Sequence, residues 1–303
     1  MRTASRLRRG RGVAGVPVLL ALLLLLVGCG AGADPRPAGP VTAGGANPDS
    51  PAGAPSSTSS TRAGAATAAT GSASSSAAGS ALPRYATPGE LSAAVLTAVR
   101  SRGSVLITTT AQGTPLVSRR SVQLVGAGQN SASQVTIPGR PDQTLVVAGG
   151  VPYLSVDADA EGRHWQRTRF EDLASNKVWA SAVYAVDLPT ELASWRLGAV
   201  LTGGDVDTVA GEGVRTYTLT LGPAAASAQV RLDRVAAADR PAVTERLGQM
   251  HYDLTVTMGA DDLPRTVTTV APASGLVTTQ TYSTWGGVTV AAPSPDDVAA
   301  PPS

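Results

Sequence analysis

The residue types that carry most enzyme chemistry are scarce in this chain. Only two histidines occur, His164 and His251, and a surface or polar-face position is the more common role for each. The sequence contains no Gly-x-Ser-x-Gly elbow, no His-Glu-x-x-His pair and no Ser-x-x-Lys pair. The carboxylate pairs Asp261-Asp262 and Asp296-Asp297 fall in a predicted turn and near the carboxyl terminus, and catalysis or metal binding would need further acids around them. We therefore expect no catalytic residues, no bound metal and no cofactor, and a protein that is not an enzyme.

One side chain has reactive chemistry in a specific setting: Cys29, the only cysteine in the chain. It follows Leu26-Val27-Gly28, small and apolar residues that resemble the lipobox of bacterial lipoproteins. That resemblance implies a diacylglyceryl group on the thiol, cleavage before Cys29 and acylation of the new amine, for example by palmitate. The alternative is an ordinary secretory signal with a stray cysteine. A single cysteine also excludes a disulfide within the chain and a thiolate metal site.

The residues before Cys29 have the three parts of an export signal. Five arginines and no acidic residue precede the apolar run from Val13 to Val27. This run is shorter than the roughly 20 apolar residues that a membrane-spanning helix needs, so residues 1–28 are predicted to be a lipoprotein signal peptide. The remainder is then expected on the extracytoplasmic face of the cell membrane, anchored there through Cys29.

The charge balance changes once the signal is set aside. Residues 1–28 hold five of the 24 basic residues and none of the 22 acidic residues, which leaves 19 bases against 22 acids and a formal charge of −3. A nucleic-acid partner therefore loses its main electrostatic support.

The next segment has the composition of a tether. From Gly30 to Pro83, all but seven residues are Ala, Gly, Pro, Ser or Thr, and every aromatic residue lies further on. Such a segment cannot bury enough apolar surface to offset the entropy of the chain. We predict a lipidated cysteine with a disordered tether over residues 29–83, a folded domain over residues 84–292 and a loose tail over residues 293–303.

Within the folded domain, the patterns predict one early helix followed mostly by strands. Thr87, Pro88 and Glu90 form a helix start, and an apolar stripe at four-residue spacing follows up to Gly103. Apolar and polar residues then alternate from Tyr252 to Met258, as in a strand with one buried face. Similar patterns recur throughout, with short helices expected near residues 189–199 and 241–247 and a last strand near residues 287–291. The predicted fold class is α+β, a large curled sheet or part-open barrel with a few helices against one side.

Several motifs in the second half of the chain resemble a known family. The run Thr281–Val290 reads Thr-Tyr-Ser-Thr-Trp-Gly-Gly-Val-Thr-Val, and an Ala-Pro tail follows it. Earlier pieces, including Val-Pro-Tyr at residues 151–153 and Trp165, keep the family's order. Over residues 85–298 the chain resembles the LppX/LprG-type lipoproteins of actinobacteria, although Thr284 stands where that family usually has Asp.

That resemblance implies a LolA-like fold, a half-open antiparallel barrel whose apolar cavity holds acyl chains of lipids or glycolipids in transit through the cell envelope. We expect a monomer with a lipid or glycolipid ligand and, as a candidate partner, an envelope transporter. The alternative is a surface lipoprotein whose packed domain binds a protein or a wall polymer. Alternation along the predicted strands turns seven residues inward as candidate cavity lining: Leu145, Val147, Tyr217, Leu219, Tyr252, Leu254 and Val256.

A cluster of basic residues precedes Phe170. On a strand, Arg163, Arg167 and Arg169 share a face with Trp165. One interpretation is a cavity rim where guanidinium groups contact anionic lipid head groups. The other is a solvated strand face with an incidental tryptophan.

Overall fold

A computed structural model describes residues 82–176 and 178–299 of the protein. The predicted signal peptide, the lipidation at Cys29 and the tether as far as residue 81 lie outside the described residues. Among the helices of the described part, none is both long and apolar enough to cross a membrane.

Six α-helices lie within the described residues, and most of them are short. Three single turns of 3₁₀ helix add to them at Trp195–Leu197, Leu232–Arg234 and Pro295–Asp297. The α-helices are α1 Pro88–Arg102, α2 Phe170–Ala174, α3 Ala180–Tyr184, α4 Leu188–Ser194, α5 Pro223–Ala228 and α6 Arg240–Leu247.

The strands of the described part form one 12-stranded sheet. They are β1 Ser104–Ala111, β2 Val117–Val125, β3 Gly128–Thr136, β4 Gln143–Ala148, β5 Val151–Ser155, β6 Trp165–Arg167, β7 Val200–Val209, β8 Glu212–Leu221, β9 Tyr252–Met258, β10 Pro264–Ala271, β11 Leu276–Ser283 and β12 Val298–Ala299. Their order is β12-β6-β5-β4-β3-β2-β1-β11-β10-β9-β8-β7, with antiparallel pairing except between β12 and β6. Because β12 and β7 remain at opposite edges, the sheet is curled but unclosed. The predicted α+β fold, a half-open antiparallel barrel with helices on one side, is confirmed.

Helix α1 begins and ends where the sequence predicts. The Thr87 hydroxyl accepts a hydrogen bond from the backbone N–H of Glu90 at 3.2 Å, and the Glu90 carboxylate accepts one from the N–H of Ala86 at 2.8 Å. At the other end, Gly103 has φ 72° and donates its N–H to Val99, a left-handed cap that suits glycine. The apolar stripe of the helix, including Leu91 and Val95, is fully buried.

The sheet has an inner face, defined here as the face that the helices cover. Strand β9 shows this face most clearly, because its residues alternate between buried and half-buried from Tyr252 to Met258. Its buried side chains join those of β8 and of α1 in the main hydrophobic core. Burial of one whole sheet face against helices is the dominant stabilising contribution in such a layered fold.

Strand β7, at one edge of the sheet, was not predicted. Val200, Val206 and Val209 are about half exposed, so the strand shows no alternation between a buried and an exposed face. It contains an irregularity between Gly203 and Asp205. At Gly203, with φ 90°, a Cβ atom would lie 2.8 Å from the carbonyl oxygen of Thr216, so only glycine fits there without a shift of the backbone.

The strand predicted near residues 287–291 was wrong. Residues 287–291 form no strand, because side chains satisfy their backbone: Ser104 accepts from the N–H of Val288 and Gln123 from that of Val290, each at 3.0 Å. Val290 packs with Val146 on the outer face of the sheet. Within the tail predicted to be loose over residues 293–303, β12 pairs with β6, and the looseness itself stays a prediction.

Candidate functional site

A cavity of about 250 Å³ lies between the inner face of strands β1–β4 and the α2–α3 region. Its sheet side includes Ile107 and Val135, and its helical side includes Phe170 and Trp179. Apolar and polar side chains both contribute to the wall, so the cavity is amphiphilic. We refer to it below as the cavity.

The cavity exists because the inner face carries small side chains at this place. Thr109 and Ser118 are direct partners across β1 and β2, while Ser133 stands between Arg120 on β2 and Leu145 on β4. Ser131 occupies the next inward position on β3. Where β8 and β9 fill the equivalent space with tyrosine and leucine, these residues leave volume between the sheet and the helices.

The helical side of the cavity is made of short elements that are tied to one another. Helices α2 and α3 have five residues each and no side-chain cap. The segment that contains Arg231 and Arg234 holds α3 in place: the N–H of Arg231 donates to Tyr184 at 2.8 Å, and the Arg234 guanidinium donates to the carbonyl of Val183 at 2.9 Å. Asp187 caps α4 by accepting from Thr190 at 2.7 Å.

Arg120 is the charged residue on the sheet side of the cavity. It points inward from β2 with its side chain 19 % exposed, and its ion-pair contact is with Glu191 on α4, whose Oε2 lies 4.0 Å from Nη1. Burial raises the pKa of Glu191, and the positive charge of Arg120 and the Gln280 side chain oppose that shift. Gln280 also accepts a hydrogen bond from the Tyr282 hydroxyl at 2.9 Å. Burial and the nearby charge of Glu191 raise the pKa of Tyr282 well above its ordinary value.

Two further arginines lie on the helical side. Arg231 makes a two-point contact with Asp233, at 3.0 and 2.8 Å. Arg234 has no carboxylate within 4.0 Å among the described residues, and its guanidinium carbon lies 3.8 Å from the centre of the Phe170 ring, a cation–π contact. Burial, with the charge of Arg231 in addition, lowers the pKa of Arg234.

Trp179 contributes a buried donor to the same wall. Its side chain is 1 % exposed, and its indole N–H has no hydrogen-bond partner among the described residues. A buried donor without an acceptor costs about 1–3 kcal/mol. Among the described residues, Arg215, Tyr252 and Trp285 also have a buried polar atom of this kind, and Trp179 is the one on the cavity wall.

The structure divides the seven residues predicted to line a cavity into two groups. Leu145 and Val147 lie on the cavity wall. The other five residues lie outside that wall, in the main core under α1 and its neighbours, and each is exposed by 3 % or less: Tyr217, Leu219, Tyr252, Leu254 and Val256.

The three arginines predicted at a cavity rim lie away from the cavity wall. Arg163 is bound to Asp159 at 2.8 Å and to Glu161 at 2.6 Å. Arg169 makes a two-point contact with Asp172, and Arg167 is exposed at the end of β6. Their contact with lipid head groups stays a prediction.

The sequence analysis did not predict the arginines of the cavity wall, and the reason differs between Arg120 and the pair Arg231 and Arg234. Arg119 and Arg120 are adjacent on β2, and alternation must turn one of them inward, so the pair itself was a usable signal. Arg231 and Arg234 lie beside and in the single 3₁₀ turn Leu232–Arg234, where no periodic pattern exists.

Within the described residues, no group of three or more His, Cys, Asp or Glu side chains could hold a metal ion.

Comparison with known proteins finds similar structures only at low identity. No protein-family model matches the chain, and no curated protein matches it. The structure is similar to LprF from Mycobacterium bovis (13% identity, TM-score 0.44, covering 68% of this chain and 96% of that one). It is also similar to the lipoprotein LppX from Mycobacterium tuberculosis (12% identity, TM-score 0.42, covering 67% of this chain and 98% of that one). LppX is a representative of the group that the sequence motifs resemble.

Proposed function

We propose that this protein is a membrane-anchored, extracytoplasmic lipoprotein that binds the acyl part of a lipid or glycolipid, without catalysing a reaction. The observation that carries the proposal is the cavity between the inner sheet face and the helices. Val135, Leu145 and Val147 offer an acyl chain one apolar wall, and Phe170 offers another. Apolar surface of this kind, set in a concave space with a few polar groups, is typical of ligand sites.

The size of the cavity limits how much ligand it holds in this conformation. Its volume of about 250 Å³ lies below the range of roughly 300–1,000 Å³ that is usual for small-molecule pockets. It therefore accommodates part of an acyl lipid, and a longer chain requires the helical side to move. Helices of five residues such as α2 and α3 have little intrinsic stability, so we expect the helical side to move when a longer acyl chain binds.

Detection of a copurifying lipid tests the proposal. The chain, purified gently from its native membrane, is examined by native mass spectrometry. We expect a fraction with an added mass, beyond the covalent acyl groups on Cys29, that dissociates from the protein intact and then fragments to fatty acyl ions. A protein that carries no such mass, and gains none after incubation with lipids extracted from the same membrane, would contradict the proposal and favour a packed domain that binds a protein or a wall polymer.

A further inference from the structure

Charged hydrogen-bond donors in the cavity wall are left without hydrogen-bonded counterions. The guanidinium of Arg120 makes no hydrogen bond to another described residue, and its contact with Glu191 at 4.0 Å is beyond hydrogen-bond reach. An arginine side chain has five N–H donors in a planar fork and no acceptor. Arg120 therefore presents unused donors and a positive charge on the sheet side of the cavity.

Arg234 presents a second charge of this kind on the helical side. One of its nitrogens donates to the backbone of Val183, and no carboxylate of the described residues lies within 4.0 Å of it. Some arginines elsewhere in the structure, such as Arg163 and Arg265, are bound to carboxylates, whereas the half-buried Arg215 donates to backbone carbonyls. A half-buried arginine without such a partner gains most from an anion that reaches it.

Two acceptors of the cavity wall are already engaged, and its serine and threonine hydroxyls can donate as well as accept. The side-chain oxygen of Gln129 accepts from the N–H of Leu188 at 2.9 Å, and Asp187 accepts from Thr190. The buried indole N–H of Trp179 adds one more donor without a partner. A ligand that satisfies these groups must bring acceptor oxygens and negative charge.

We propose that the ligand is an anionic amphiphile, whose phosphate or carboxylate group binds Arg120 and Arg234 while its acyl chain lies against Leu145, Val147 and Phe170. This inference rests on the proposed function and adds the chemical class of the ligand to it. The anionic oxygen atoms could belong to a lipid or to free phosphate, and the experiment separates these sources.

The test compares three probes on the chain that carries Cys29→Ser and lacks the predicted signal peptide of residues 1–28, so that no detergent is needed. They are dodecyl phosphate, dodecanol and inorganic phosphate, with dissociation constants measured by calorimetry below the micelle concentration. We expect dodecyl phosphate to bind at least about tenfold more tightly than dodecanol, since charge-assisted hydrogen bonds form with the phosphate alone. Arg120→Gln should reduce that preference to about twofold or less. Arg119→Gln is the matched control, because Arg119 is exposed on the opposite face of the same strand.

The outcomes distinguish the anionic ligand from lipid binding in general. Equal binding of dodecyl phosphate and dodecanol would overturn the anionic ligand and leave lipid binding intact. Inorganic phosphate that binds as tightly as dodecyl phosphate supports the arginine site and contradicts lipid binding, and failure of every probe contradicts both. If Arg120→Gln does not fold, as judged by its melting curve, Arg234→Gln is expected to lower the preference in its place. Equal preferences in Arg119→Gln and in both cavity variants would also overturn the inference.

Discussion

Arg120 on β2 and Glu191 on α4 approach each other from opposite sides of the inner layer, with 4.0 Å between Nη1 and Oε2. The Glu191 side chain is 17 % exposed. Burial raises the pKa of Glu191, so its carboxyl group takes up a proton at a higher pH than an exposed glutamate does. Glu191 is thus a weak internal counterion for Arg120, and a ligand anion competes with it.

Replacing Glu191 by Gln should strengthen the binding of anions. The substitution removes the competing charge while keeping the size of the side chain, so the affinity for decyl sulfate, a probe that stays charged throughout, should rise by roughly threefold to tenfold. Calorimetry at neutral pH measures the change. Glu245→Gln is the control, since Glu245 is an exposed carboxylate on α6 outside the cavity wall.

The pH dependence of the same binding follows from the raised pKa of Glu191. As pH falls through that pKa, Glu191 takes up a proton and its competition with the ligand ends. Decyl sulfate should therefore bind the unsubstituted protein more tightly at mildly acidic pH, whereas Glu191→Gln should show a flat profile. Tyr252 and Tyr282 stay protonated throughout, because burial raises their pKa values further. Parallel profiles in the two proteins would rule out Glu191 as the titrating group.

Protonation of Glu191 should also raise the free energy of unfolding. The native state binds a proton at Glu191 more readily than the unfolded chain, since the folded pKa is the higher one. This contribution to the free energy of unfolding therefore grows as pH falls through the raised pKa, and it is lost as pH rises. Urea unfolding of Glu191→Gln should lack that component, which a comparison across pH reveals.

Two substitutions on the inner face should differ in cost. Val256 is fully buried in the main core, so Val256→Trp should lower the free energy of unfolding by about 1–3 kcal/mol or more through overpacking. Ser133→Leu places its added carbon atoms in the cavity and should cost less than about 1 kcal/mol. Denaturant unfolding of both variants measures the difference. A Ser133→Leu variant as unstable as Val256→Trp would show that the cavity cannot accept added volume.

The anchor prediction depends on the sequence around Cys29. Cys29→Ser removes the thiol that takes the diacylglyceryl group, so metabolic labelling with radioactive palmitate should be lost and the protein should no longer be retained by its anchor. Labelled protein of unchanged intensity would contradict the lipobox assignment.

Parts of this fold could be read from local chemistry. Helix α1 follows from its capping residues Thr87 and Gly103, and β9 follows from an unbroken alternation with period two. Strand β7 could not be found in the same way, because its residues are exposed on both faces and two glycines interrupt them. Its position is set by pairing with β8, a long-range contact that leaves no mark on the strand itself.

The candidate site was predictable only in part. Alternation identifies Leu145 and Val147 as inward residues, and both line the cavity. The same rule turns Tyr217 inward, yet it cannot say whether helices or empty space will face that residue. That distinction depends on how side chains such as those of Ser131 and Ser133 fit beneath α3, which only the packed structure shows.

The most direct test of the central claim is lipid occupancy in a variant whose cavity has been filled. The bound acyl lipid per protein is measured by native mass spectrometry for the unsubstituted chain, for Ser133→Leu and for Ser121→Leu, a matched change on the outer face of neighbouring β2. We predict that Ser133→Leu loses most of its lipid while Ser121→Leu keeps it. Equal occupancy in all three proteins, with Ser133→Leu folded normally, would contradict an acyl-binding cavity between the sheet and the helices.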